Sequence, residues 1–410
     1  MSTNEKKSVL IFCDLNSCGG GVYIYTQQIT RAFLQSGVAV YIISHEPQGA
    51  KEKEFLLPLV EGVSGYHLFP NKLSDQEIVK SIVDYAAEVK PTWYFPNYRE
   101  GAHAAMVPLK KMGVGNIFVG HNDHDSQYRY AFRYQSVVDI FICPSKKCEA
   151  YLFSHLNKTA HSRVKYIPHC VDINMANCSP QKTLDSDFVK LLYCGRINFE
   201  QKKLNLLPLI MKSLQLKGVN AEVNIVGSGS DRAELEELFK KHELKNVYFH
   251  GHVDRKSLIK YFNDNDIVIL TSLYEGFCLA LAEAMACGLP AVAFECGGVI
   301  DDYLISGENG YIVPFGDMQE FSNKIQRLVN NKNMYHEFSV FSSKKIRDEF
   351  SWNRFLENYK VLAYAQNDLR FNWPLLRSIY FPVRKFGLAN LIDFIGTVIF
   401  KWNQKLNFLW

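Results

Sequence analysis

The chain has 410 residues, 46 Lys+Arg against 42 Asp+Glu, 47% hydrophobic and 21% charged side chains, and a formal net charge of +4. At roughly 100 to 200 residues per domain, this length gives two or three domains, and the composition excludes a disordered tail protein, a collagen-like chain and a disulfide mini-scaffold. Residues 370–410 carry six basic residues and one acid, Asp393, which leaves 40 basic and 41 acidic residues in positions 1–369, a near-neutral body that argues against nucleic acid as a partner.

Short runs rich in Val, Ile, Leu and Phe alternate with segments of helical period, the pattern of a parallel sheet covered on both faces. Strands are predicted near 8–13, 38–43, 92–95, 116–119, 139–143 and 164–167, with helices at 21–35, 76–88 and 146–156. The polar stretch 174–187, with Ser179-Pro180, reads as a linker. Beyond it, strands are predicted near 189–194, 221–226, 246–250, 267–271 and 290–294, and helices near 204–217, 231–242, 256–263, 279–287 and 318–330. The expected fold class is α/β, with two doubly wound Rossmann-like domains facing across a cleft, 1–173 and 188–350, followed by C-terminal helices and a tail over 351–410. Ten cysteines without a C-x-x-C pair or zinc spacing read as reduced, largely buried thiols in a cytoplasmic protein. The first apolar run, Val9 to Cys13, is too short for a secretory signal, and no stretch reaches the roughly 18 apolar residues of a membrane span.

In open α/β sheets, ligands bind beyond the carboxyl ends of the strands, where helix N-termini receive phosphate. Three turns in the second half suit that task. Cys194-Gly195-Arg196 leads to Lys202, so a fork and a point charge could both reach a diphosphate; solvated side chains at a helix start are the plainer reading. Gly227 and Gly229 form a G-x-G turn before RAELEELFKK, which fits either a truncated phosphate loop or a tight turn capped by Ser230 or Asp231. The third turn, TSLYEGFCLALAEAMACGLP, places Glu275 just after a strand and Glu283 in an otherwise apolar helix beginning around Cys278. A lone carboxylate in such a helix signals a buried ion pair or a ligand contact.

EGFCLALAEAMACGLPAVAFECGG with GENGYIVPFGD resembles the nucleotide-sugar site of the retaining glycosyltransferases of family four, which have the GT-B fold. GGGVYIYTQQI, VGHND, IPHCVD and GRINFEQK extend the resemblance over roughly residues 8 to 365. The resemblance implies that Glu275 contacts donor-sugar hydroxyls and Glu283 the nucleotide ribose, while Arg196 and Lys202 neutralise the leaving diphosphate. Gly276, Phe277, Cys278 and Leu279 match the loop whose amides face phosphate and sugar, although Cys278 stands where the family often has glycine. Gly20 and Gly21 match the glycine loop beside donor and acceptor, and His121 a histidine near the donor sugar; an ordinary tight turn and a capping or core histidine are the plainer alternatives. His169 and Cys170 stand where Asn and Gly are common and receive no role.

Cleaving a sugar–phosphate bond builds negative charge on the diphosphate while the sugar becomes oxocarbenium-like, and Arg196, Lys202 and the helix N-terminus could stabilise the leaving diphosphate without a metal. No cofactor and metal independence are therefore expected, with Asp123-His124-Asp125 the triplet best placed to overturn that. The expected partners are a nucleotide-sugar donor and a saccharide or lipid-linked acceptor of envelope polysaccharide or lipopolysaccharide synthesis. A nucleotide-sugar epimerase, a phosphorylase and a non-catalytic GT-B binding protein are the competing readings. Ten aromatics interleaved with basic residues over 371–410 suit either an anionic membrane surface or a segment packing back on the first domain.

Overall fold

The computed structural model describes residues 7–364, except 16–19, 50–52, 54, 55, 57, 173–176 and 185–187. In the first domain, β1 (Ser8–Cys13), α1 (Gly21–Gln35), β2 (Ala39–His45), β3 (Gly65–Phe69), α2 (Asp75–Val89), β4 (Trp93–Phe95), α3 (Glu100–Ala104), α4 (Met106–Lys111), β5 (Gly115–Val119), α5 (Asp125–Arg133), β6 (Ile140–Cys143), α6 (Lys146–His155) and β7 (Val164–Tyr166) follow one another. The second contains β8 (Phe188–Cys194), α7 (Leu207–Leu216), β9 (Asn220–Val226), α8 (Arg232–Lys241), β10 (Val247–Gly251), α9 (Arg255–Asp264), β11 (Ile267–Leu270), α10 (Leu279–Ala286), β12 (Ala291–Phe294), β13 (Gly310–Val313), α11 (Met318–Asn330) and α12 (Lys332–Glu349). A last helix, α13 (Trp352–Ala363), returns to the first domain.

Both sheets are parallel, with strand orders β3-β2-β1-β4-β5-β6-β7 and β10-β9-β8-β11-β12-β13. Each central strand is buried on two sides because alternate residues feed different cores. In β1, Leu10 and Phe12 join one cluster and Val9, Ile11 and Cys13 the other; in β8, Leu191 and Tyr193 oppose Leu192. The strand order reverses between β1 and β4, and again between β8 and β11, so each domain opens a crevice at the carboxyl ends of those strands. The loops holding the predicted site residues leave from these ends.

Helix α13 packs Phe355, Tyr359, Leu362 and Ala363 into the core that also holds Tyr25, Ile29 and Phe33 of α1. The Tyr25 and Tyr359 hydroxyls share a hydrogen bond, and the Arg31 guanidinium lies 3.4 Å over the Trp352 ring. Burial of side chains this size stabilises by about 1.5–3 kcal/mol each, which fastens the chain beyond the second domain to the first. Residues 371–410 lie outside the described residues, and with them the aromatic tail.

The structure adds strands β3 and β13 and helices α3, α4, α5 and α12 to the predicted elements, and the predicted helix at 204–217 opens with a 3-10 turn over Leu204–Leu206 before α7. Strand β3 lies at the sheet edge and only Phe69 of its five residues is buried, so GYHLF has no apolar run to read. Helix α12 turns serines inward: Ser339, Ser342 and Ser343 donate to the carbonyls of Gly288, Asn309 and Ala286, which removes the apolar period from its sequence. One thiol expectation is corrected. Cys178 and Cys287 are joined as a disulfide, with Cα atoms 4.9 Å apart, while Cys13, Cys143, Cys148, Cys170 and Cys296 are buried thiols.

Candidate functional site

Two loops of the second domain are laced together. The first follows β8, where the Gly195 N–H donates to the Val226 carbonyl and the Ile197 N–H to the Ser228 carbonyl. A Cβ on Gly227, whose φ is +144°, would stand 1.8 Å from the Gly195 carbonyl oxygen, and one on Gly229 1.9 Å from that of Ile197. Only glycine permits this approach. The Gly227 N–H already donates to Gly251, so Gly227 has a packing task here, and the geometry favours the tight-turn reading over a phosphate contact.

The second loop, Thr271–Cys278, is pinned onto the first. Thr271 Oγ1 donates to the Lys202 carbonyl (2.6 Å), the Leu273 N–H to the Gln201 carbonyl (2.8 Å), and Gln201 Nε2 to the Tyr274 carbonyl (3.1 Å). Gln201 Oε1 in turn accepts from Arg196 Nη2 at 2.9 Å, so the guanidinium is steered while staying exposed. The result is an ion pair: Lys202 Nζ sits 2.5 Å from Glu275 Oε1, which also accepts from Ser272 Oγ at 2.6 Å. The two side chains are 13% and 7% exposed, so this pair is largely desolvated. Burial works against the Lys202 charge, but the Glu275 carboxylate more than offsets it and the lysine pKa ends above its ordinary value. Lys202 is therefore a fixed cation at neutral pH.

Beside the pair begins α10. Its cap residue, Cys278, has φ 61° and ψ 71°, a left-handed conformation that explains why glycine suits the position. Among the described residues no side chain caps the helix, so its first N–H groups remain available to an anion. Burial, with Glu275 nearby, pushes the Cys278 thiol up to about 12, so it is a neutral group and a poor nucleophile. The Phe277 ring is buried against Tyr303, whose hydroxyl donates to the Phe277 carbonyl at 2.5 Å. Leu279 opens the helix itself, half-buried. In the middle of α10, Glu283 Oε1 accepts from Arg255 Nη2 at 2.6 Å, so of its two predicted environments the ion pair is present.

The first domain meets this loop directly. The Asp123 N–H donates to the Glu275 carbonyl (2.9 Å), and a Cβ on Gly276 would stand 1.8 Å from the His121 carbonyl oxygen. His121, which follows β5, is buried, and its Nε2 donates to Asn97 Oδ1 at 3.1 Å. Asn97 in turn donates to the Phe12 carbonyl at 2.6 Å. That bond sets the tautomer and leaves Nδ1 as the unprotonated nitrogen. Burial, with His169 and His103 nearby, holds the His121 pKa well below the usual histidine range, so the ring is neutral. Gly20 caps α1 and Gly21 begins it, and nothing stands within 4 Å of a Cβ on Gly21. Gly21 thus has no packing neighbour on that side among the described residues.

Asp123-His124-Asp125 does not converge on a point. Asp123 Oδ1 accepts from Tyr128 at 2.6 Å, His124 Nδ1 engages Ser126, and Asp125 starts α5. Among the described residues no group of three His, Cys, Asp or Glu side chains is arranged to hold a metal ion. The His124 ring instead lies 4.8 Å from that of Tyr274. These rings make an aromatic lip beside Arg196 and Glu275.

Two adjoining stretches of the chain match described families: residues 19–175 match Glycosyltransferase Family 4, and residues 176–345 match Glycosyl transferases group 1. The chain belongs to the family-four glycosyltransferases. Its fold agrees with the crystal structure of Anabaena HepE in complex with UDP and glucose, at a TM-score of 0.70 and 17% identity over 88% of this chain and 100% of that one. A poly(ribitol-phosphate) alpha-N-acetylglucosaminyltransferase of Staphylococcus aureus is 28% identical over 38% of this glycosyltransferase and 32% of its own length. The capsular polysaccharide biosynthesis glycosyltransferase CapM of S. aureus is 28% identical over 44% and 47% respectively. The alignments thus span a third to a half of these curated relatives.

Sequence reasoning missed three residues that shape this candidate site. Asn97, at φ 50°, orients His121; a Pro96-Asn97 pair after a short strand was the available signal. Tyr25 packs edge-on against both His121 (5.2 Å) and His169 (4.8 Å), and nothing in GGGVYIYTQQI separates it from core. Arg255 holds Glu283, and a basic residue at the first position of a helix, where the macrodipole disfavours it, was its only mark.

Proposed function

We propose that this glycosyltransferase moves a sugar, with retention of configuration, from a nucleotide-sugar donor to a saccharide or lipid-linked saccharide acceptor in cell-envelope polysaccharide or lipopolysaccharide synthesis. The observation that carries the reading is the desolvated Lys202–Glu275 pair beside the uncapped start of α10, with Arg196 steered toward the same point. Fixed cations and backbone N–H groups aimed at one spot suit a leaving diphosphate, whose charge develops in the transition state. The anomeric C–O bond to phosphate breaks, a bond from the acceptor oxygen forms on the same face, and the acceptor proton passes to a phosphate oxygen. A neutral Cys278 and a cation-bound Glu275 both suit a front-face path without an enzymic nucleophile.

Related proteins support the donor and acceptor classes: the HepE crystal structure is a complex with UDP and glucose, and CapM is a glycosyltransferase of capsular polysaccharide biosynthesis. The aromatic lip supports a saccharide acceptor, since flat rings stack on the C–H faces of sugars. Resident cations at the leaving-group position support metal independence, and the basic, aromatic composition of the tail supports operation at the cytoplasmic face on anionic lipid.

The test is incubation with a panel of nucleotide sugars, measuring nucleoside diphosphate release with and without saccharide acceptors, in chelator and in Mg²⁺. Acceptor-dependent release that survives chelation, with product NMR showing the donor's anomeric configuration, is expected. Interconversion of donor sugars without diphosphate release would instead indicate an epimerase. Binding without turnover would indicate a non-catalytic protein.

A further inference from the structure

Glu283 is the single charged residue of α10 and is 4% exposed. Its Oε1 is taken by Arg255 Nη2 at 2.6 Å, and its second oxygen makes no hydrogen bond among the described residues. Burial favours the neutral form of Glu283 and nearby Asp172 adds to that, while Arg255 opposes both. Asp172 has a cation of its own, Arg31 at 2.7 Å, so each carboxylate has its own guanidinium.

Arg255 is rigidly rooted. The preceding residue, Asp254, caps α9 by accepting from the N–H groups of Lys256 (3.0 Å) and Ser257 (3.1 Å) and from Ser257 Oγ (2.6 Å). A cation at the first position of a helix is disfavoured by the macrodipole and contributes nothing to α9 itself. What offsets that cost is the contact with Glu283. Arg255 Nε is buried without a hydrogen-bond partner among the described residues, so the guanidinium is not locked into a saturated structural network there. It borders a cavity of about 310 Å³ shared with Gln28, Thr30, Arg31 and Asp172.

We propose that Arg255 is a positioning residue of the donor site: it holds one oxygen of Glu283 so that the other is presented to the vicinal hydroxyls of the donor ribose. The inference rests on the donor-site reading above. A planar guanidinium fixes the direction of a carboxylate as an ammonium does not, so the effect is one of orientation as well as charge. Arg255 thereby sets discrimination between ribo- and deoxyribonucleotides without touching the nucleotide.

Calorimetry on the full chain with UDP, GDP and ADP, and with the 2′-deoxy form of whichever binds tightest, tests this. The unaltered protein is expected to favour the ribonucleotide at least tenfold. In Arg255→Met that preference falls to within twofold, and Arg255→Lys recovers only part of it. Arg255→Gln, which keeps an amide donor without the charge, carries the same expectation as Arg255→Met should the latter fail to fold. A folded variant that retains the full preference overturns the role of Arg255 and leaves the donor site standing. Failure of all three diphosphates to bind the unaltered chain overturns the donor-site reading and this inference with it.

Discussion

The two walls of the cleft solve opposite problems. On the second-domain wall, Arg196, Lys202, Glu275 and Glu283 are charged groups held by one another or by Gln201, Ser272 and Arg255. The first-domain wall offers His121, held by Asn97 and packed against Tyr25, with His169 on the same ring. Burial keeps both histidines neutral, with His169 pushed down to about 4. One wall is preorganised for charge and the other for a proton-neutral, desolvated surface. A leaving diphosphate needs the first, and a sugar passing through an oxocarbenium-like state beside an incoming hydroxyl needs the second.

The largest effect should follow from disturbing the charged wall. Lys202→Ala removes a cation from the leaving group and leaves Glu275 buried and unpaired, so turnover should drop by 10²–10³-fold, about 3–4 kcal/mol. Steady-state rates on a protein shown folded by circular dichroism check this. A loss under tenfold would place the lysine outside the mechanism.

Next comes the neutral wall, through pH. An unfolded histidine takes up its proton near pH 6.5, whereas folded His169 resists until about 4. Between those values the unfolded state binds more protons, so stability is undiminished above pH 6.5 and falls as pH drops toward 4. His169 alone should account for about 2–3 kcal/mol of that loss by pH 4.5. Urea midpoints of the unaltered chain and His169→Asn at pH 7 and 4.5 measure it. Parallel losses in the two proteins would assign the acid sensitivity elsewhere.

A smaller effect distinguishes the walls in kinetics. His121→Ala should slow transfer about tenfold, near 1.4 kcal/mol, while nucleoside diphosphate affinity changes less than twofold. Equal losses in both would make His121 structural. The smallest change expected is Cys278→Gly. Relief of the left-handed conformation and the greater freedom of unfolded glycine nearly cancel, so stability should shift by less than about 1 kcal/mol. The donor pocket gains the volume of a thiol, so the range of sugars accepted should widen on the same donor panel.

The central strands were legible because a strand buried on both faces must be a short, unbroken apolar run, as in the VLIFC of β1 and the LLYC that ends β8. Glu275 and Lys202 were legible because ordered motifs carried them. Their contact was not: 73 residues separate the two, and only the lacing of the loops through Gln201 and Thr271 brings them together. Glu283 could be flagged as anomalous in an apolar helix, but its partner comes from a segment, HVDRKSL, that reads as an ordinary capped helix start. The His121–Asn97 bond joins the ends of two different strands and has no counterpart in local spacing. Sequence thus marked the residues with unusual chemistry, and tertiary contacts supplied their protonation states and orientation.

The most direct test of the charged wall compares a nucleoside diphosphate with its monophosphate by calorimetry, in the unaltered chain and in Lys202→Ala. A charge-assisted contact contributes about 1.5–3 kcal/mol, so the diphosphate should bind at least tenfold more tightly than the monophosphate, and the gap should close in the variant. Equal affinity for the two nucleotides in the unaltered protein, or a gap that survives removal of the lysine, would contradict the assignment of Lys202 to the leaving diphosphate.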